Sequence, residues 1–132
     1  MSEPKGRELD GATVLLLEDE FLIAMDAEQI LKDLGAAKVE IAGTLADAER
    51  LAENGRFDLA MLDVNINGQV SFPLAESLWR RGVAVVFATG YEMKSHGFPE
   101  FAVCVAKPYT GANLRAVVST VLGRRAGQSR AG

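Results

Sequence analysis

One cysteine, Cys104, is all the chain has, so no disulfide can form within it and nothing speaks for an oxidising compartment. Histidine is as scarce: His96 has no second histidine or cysteine at ligand spacing, which argues against zinc. Long apolar runs are missing. None exceeds the length of Val83 to Ala88, far too short to span a bilayer, and the polar stretch Met1 to Asp10 lacks the hydrophobic segment of a secretory signal. Basic residues are outnumbered, 14 against 18 acidic ones, and the only basic cluster is Arg124, Arg125 and Arg130 near the end, which reads as a solvated tail. Nucleic-acid and membrane binding are thus disfavoured, and the expected location is the cytoplasm. No repeat or low-complexity block is present.

What is there suits one domain: 132 residues, 48% of them hydrophobic, are enough for a real core but not for two. Val14 to Leu17 is an uninterrupted apolar run of the kind buried on both faces of a sheet. From Phe21 the period changes, with Ile23, Ala27, Ile30, Leu31 and Leu34 on one helical face and Gly35 as the stop. Val39 and Ile41 mark a second strand, Thr44 and Asp47 a helix start, and Gly55 its end.

Phe57 to Leu62 reads as the third strand, Val64 to Gln69 as a loop, and Ser71 with Pro73 as the first turn of a helix that Gly82 ends. Val83 to Ala88 and Ala102 to Ala106 complete the strands, separated by a connection, Gly90 to Phe101, in which a short or poorly ordered helix is expected. Thr110 caps the last helix, with Leu114, Val117, Val118 and Val121 inward and Gly123 as its close. Strand and helix alternate throughout, which is the mark of an α/β fold: a parallel sheet with helices on both faces. The expected organisation is a flexible leader over 1–11, a domain over 12–123 and a flexible tail over 124–132.

Chemistry-bearing groups follow the apolar runs. Glu18 and Asp19 come after the first, Asp63 after the third, Thr89 after the fourth and Lys107 after the fifth. In a parallel sheet all of them emerge at the carboxyl edge, where open α/β folds hold their sites. Three carboxylates suit Mg²⁺, which keeps several waters and needs few direct ligands, and the backbone carbonyl of Asn65 could complete its sphere. Phosphoryl transfer needs an in-line nucleophile and groups that take up the equatorial charge. Asp63 can be that nucleophile, with Lys107 pairing one phosphoryl oxygen and Thr89 donating to another.

The segments L-L-L-E-D-E, M-L-D-V-N, F-A-T-G-Y and A-K-P stand in this order over residues 12 to 123, and the set resembles the receiver domain of two-component response regulators. The resemblance implies a flavodoxin-like doubly wound sheet of five strands in the order 2-1-3-4-5. It also implies a cis Lys107-Pro108 bond and Mg²⁺ held by Glu18, Asp19, Asp63 and the Asn65 carbonyl. Asp63 would accept a phosphoryl group from a histidine kinase, with Thr89 as switch hydroxyl and Lys107 as the family's lysine. F-A-T-G-Y is similar to the single-domain FAT GUY subgroup, whose kinases are commonly of the HWE or HisKA_2 type.

Two positions depart from the family pattern. Glu18 stands where an aspartate is usual, and Cys104, expected as a small buried residue of the fifth strand, stands where the family has an aromatic switch. Tyr91, Phe101 or the Gly90 to Phe101 connection would then report phosphorylation. Output is expected through contact with a downstream protein or as a phosphate sink, with no catalysis beyond self-phosphorylation and slow autodephosphorylation. The alternatives are a haloacid-dehalogenase-like phosphatase, against which Asn65 stands where that class needs a second aspartate, and a phosphorylation-independent binding module.

Overall fold

The computed structural model describes residues 8–90 and 98–131, and side chains as far as residue 125. The elements in chain order are β1 (Thr13–Leu17), α1 (Phe21–Asp33), β2 (Lys38–Ala42), α2 (Leu45–Asn54), β3 (Leu59–Asp63), β4 (Asn65–Ile66), β5 (Gln69–Val70), α3 (Phe72–Arg80), β6 (Ala84–Thr89), β7 (Cys104–Ala106) and α4 (Gly111–Ala131). Five strands form one parallel sheet in the order β2-β1-β3-β6-β7. Counted without the small β4–β5 hairpin, this is the flavodoxin-like order 2-1-3-4-5.

Side chains alternate along a strand, so each central strand supplies both cores. Val14 and Leu16 of β1, Leu59 and Met61 of β3, and Ala84, Val86 and Ala88 of β6 pack with α1 and α4 through Ala24, Ala27, Leu31, Leu114, Val118 and Val121. The intervening Leu15, Leu17, Ala60, Leu62, Val85 and Phe87 pack with α2 and α3 through Ala48, Ala52, Leu74, Ala75 and Leu78. The near-continuous apolar strands therefore reflect burial on both faces.

Helix ends follow their sequence signals. Thr44 Oγ1 accepts the Asp47 N–H at 3.1 Å to cap α2. At the end of α1, Gly35 has φ +110 and its N–H reaches the Lys32 carbonyl, while Ala36 N–H reaches Leu31. This pair of bonds satisfies carbonyls the helix leaves open. A Cβ on Gly35 would stand 2.8 Å from the backbone of Asp10. Gly35→Ala is therefore expected to cost about 2 kcal/mol, through left-handed strain and displacement of the leader, read as a lower midpoint in urea unfolding.

That close approach corrects the expected leader. Leu9 is 2% exposed and belongs to the α1/α4 core, and its N–H donates to the Leu34 carbonyl. The packed unit thus begins before residue 12. The expected tail is corrected too: α4 does not stop at Gly123 but runs to Ala131. Arg125 is not simply solvated, since its guanidinium lies 4.3 Å from the centre of the Trp79 ring, which also stacks parallel on Phe101 at 4.6 Å. The expected loop after Asp63 is a hairpin, β4–β5, turned by Asn67 and Gly68, both at positive φ. Cys104 is exposed, because β7 is the sheet edge and alternates out–in–out there. The expected helix in the Gly90 to Phe101 connection, with Tyr91 and His96, falls mostly outside the described residues.

Candidate functional site

Register and alternation bring the carboxylates and the lysine together. Glu18 follows Leu16, Asp63 follows Met61 and Lys107 follows Val105 at the two-residue period, so all three project on the α1/α4 side, just at the carboxyl edge. Lys107 Nζ lies 2.8 Å from Glu18 Oε1 and 2.9 Å from Asp63 Oδ1. Glu18 is 3% and Asp63 7% exposed, so this is a buried two-to-one ion cluster. Glu18 Oε2 also accepts the Glu20 N–H at 3.0 Å, which fixes the longer side chain in place. The Lys107-Pro108 bond is cis, as the sequence resemblance implied.

Carboxylate oxygens of Glu18, Asp19 and Asp63 lie within 4.8 Å of one another, with Asp19 on the exposed side. That donor set, acidic and open to solvent on one flank, fits a hard divalent cation. Asn65 is exposed at the start of β4, two residues past Asp63, and its side-chain oxygen accepts the Gly68 N–H at 3.0 Å. Thr89 is half-buried at the same sheet edge, one residue beyond the Ala88 that pairs with Asp63, and its carbonyl accepts the Lys107 N–H at 2.9 Å. Its side chain takes no part in the ion cluster among the described residues.

Burial pushes the Asp63 carboxyl up to about 6 against the Lys107 hydrogen bond, with the charges of Glu18 and Asp19 adding to the rise. For Lys107 burial alone would lower the pKa, but hydrogen bonds to Glu18 and Asp63 and their charges outweigh it, and the ammonium is held above its ordinary value. Asp63, whose carboxyl is raised, thus sits against an ammonium that its partners hold in the charged form.

Two polar residues beside the cluster were not singled out in the sequence. Tyr109, 6% exposed, follows the cis proline, and burial and then the charges of Glu18, Asp63 and Asp26 raise its phenol. Its place directly after A-K-P was the available signal. In sequence Ser71 carries only the signal of a helix start, yet its side chain makes no cap bond and instead donates to the Asp63 carbonyl at 2.7 Å.

A doubly wound sheet with this edge chemistry defines a response-regulator receiver. No family model matches the chain. SdrG from Sphingomonas melonis is 33% identical, with 85% of this chain covering 97% of that one at a TM-score of 0.69. A response regulator receiver protein from Sinorhizobium medicae is 27% identical, with 89% of this chain covering 98% of that one at a TM-score of 0.73. The phyllosphere-induced regulator PhyR of Methylorubrum extorquens is 37% identical over 125 residues, which are 89% of this chain and 47% of PhyR. The chain thus spans about half the length of that curated relative. It belongs to the receiver-domain family of response regulators. Signalling, rather than turnover of a metabolite, is the role this family implies.

Proposed function

We propose that the chain is a phosphoryl-accepting switch of a two-component system, in which Asp63 takes a phosphoryl group from a histidine kinase. The observation that carries this reading is the convergence of Glu18, Asp63 and Lys107 within ion-pair distance, with Asp19 beside them. Asp63 is the nucleophile. Lys107, already held between two carboxylates, is placed to take a phosphoryl oxygen in exchange for one of them. Thr89 stands at the neighbouring strand end to donate to another oxygen.

Glu18, Asp19, Asp63 and the Asn65 carbonyl are the proposed holders of Mg²⁺, which when bound supplies the positive charge that offsets the incoming phosphoryl oxygens. Phe21, Leu22 and Met25 are exposed on α1 close to this edge, and Leu22 lines a pocket with Ile23, Asp26, Pro108 and Tyr109. We assign this apolar rim to the protein donor. The F-A-T-G-Y segment favours a kinase of the HWE or HisKA_2 type, and output runs to a downstream protein partner or into a phosphate sink, in the cytoplasm. No helix among the described residues is long and apolar enough to cross a membrane.

The test is intact-mass analysis after incubation with acetyl phosphate. A phosphate-sized adduct is expected with Mg²⁺ and none with EDTA. Continuous hydrolysis of a generic phosphatase substrate instead would point to the phosphatase reading, and no adduct in either condition would favour the phosphorylation-independent module.

A further inference from the structure

Among the described residues Glu18, Asp63 and Ser71 are buried, as is the phenol-bearing Tyr109. Glu18 and Asp63 are in the ion cluster, and Ser71, at 0% exposure, bonds the main chain of the proposed phosphoacceptor. We infer that Ser71 is a positioning residue for Asp63, tethering the acceptor's peptide to the start of α3. This inference rests on the phosphoacceptor reading and assigns a further residue to the same site.

The local geometry explains why a tether is needed. β1 pairs with β3 only as far as Leu17 opposite Leu62, so Asp63 lies one residue past its last β1 partner. Immediately afterwards the chain leaves for the β4–β5 hairpin and returns at Ser71. There Ser71 closes the excursion twice, its N–H donating to the Val64 carbonyl at 2.9 Å and its hydroxyl to the Asp63 carbonyl at 2.7 Å. Its own carbonyl accepts the Ala75 N–H, so the tether runs into the first turn of α3.

The hydroxyl is diverted from another use. Serine is among the preferred helix caps, and Ser71 occupies the cap position of α3 without capping it. A carbonyl buried without a donor is costly, and here that carbonyl belongs to the residue whose carboxylate must meet a donor in line. Fixing the Asp63–Val64 peptide fixes the direction in which the carboxylate leaves the strand, and with it the path to Asn65.

The experiment compares the parent with Ser71→Ala, which removes the donor, Ser71→Cys, which keeps the volume with a weak donor, and Val118→Ala, a core deletion on the distant α4. Rate constants for uptake from acetyl phosphate at saturating Mg²⁺ are measured where each protein is fully folded, together with amide exchange at Val64 and Val86. The expected result is a rate about tenfold lower for Ser71→Ala, intermediate for Ser71→Cys and unchanged for Val118→Ala. Exchange at Val64 should rise more than at Val86 only in the Ser71 variants. Equal rates in parent and Ser71 variants, or a loss matched by Val118→Ala, would overturn the positioning role while leaving the phosphoacceptor reading intact. A parent that takes up no phosphate would overturn both. Should Ser71→Ala fail to fold, the Ser71→Cys rate and exchange decide.

Discussion

Replacing Lys107 by methionine is expected to lower the unfolding free energy of the metal-free protein by about 3 kcal/mol at pH 8. The ammonium stands between Glu18 Oε1 and Asp63 Oδ1 at 2.8 and 2.9 Å, and neither acid has solvent to fall back on. Without it two carboxylates face each other across a poorly hydrated space. Methionine preserves most of the stem's packing, so the loss reports charge rather than volume. The pH dependence separates the two. Asp63, already pushed up to about 6 by burial, rises further once Lys107 is gone, so at pH 5 it is protonated and most of the penalty disappears. Urea unfolding at pH 8 and pH 5 checks this, and an equal loss at both would show that packing, not charge, was removed.

Replacing Asp63 by asparagine has the opposite sign. The folded-state carboxyl titrates near 6 instead of 3.8, so between those values the folded protein binds the proton more tightly than the unfolded chain does. Stability from this group is therefore greatest at low pH, falls as pH rises through that window and levels off above about 6. The neutral amide removes the dependence, and Asp63→Asn is expected to be more stable than the parent by roughly 1–2 kcal/mol at pH 8 in the absence of metal. Adding Mg²⁺ should reverse the order. At a hundred times its dissociation constant Mg²⁺ is expected to raise the parent by about 2.7 kcal/mol and the variant by much less. Thermal or urea melts with Mg²⁺ and with EDTA measure all four states. A parent as stable as the variant at pH 8 without metal would mean the carboxylate is better solvated than its 7% exposure indicates.

Both effects come from a site whose location was legible in the chain. Parallel strands buried on both faces read as bare apolar runs, and a charged residue directly after such a run has only the sheet edge to occupy. Val14–Leu17 before Glu18 and Leu59–Leu62 before Asp63 therefore indicated both the fold and the edge. Lys107 was legible for the same reason. What sequence did not carry was the partnering of groups in the third dimension.

Ser71 resembled any helix-start serine, because nothing in its neighbours says that its hydroxyl turns back to a strand end eight residues earlier. Leu9 was hidden in a polar leader, where a single apolar residue makes no period. Gly123 has the look of a stop since glycine is the common terminator, but an interior glycine costs a helix only about 1 kcal/mol, and the contact of Arg125 with Trp79 favours continuation. The apolar run around Cys104 suggests burial on both faces, although the order 2-1-3-4-5 puts that strand at the edge, where alternation leaves Cys104 exposed. A cysteine there leaves the family's aromatic switch position without an aromatic. Phe101 instead stacks on Trp79 of α3, whose ring also meets Arg125 of α4, and Phe98 packs on Phe72 and Phe87.

The central claim is that distant stretches meet so that a phosphoryl group lands on one carboxylate and no other. Borohydride trapping after acetyl phosphate and Mg²⁺ tests it at the bond itself, since an acyl phosphate is reduced to the alcohol while free carboxylates are not. Peptide mapping is predicted to find homoserine at position 63, alone among the acidic residues. Reduction at Glu18 or Asp19 with position 63 intact, or an acid-stable adduct on a hydroxyl such as that of Thr89, would contradict the account.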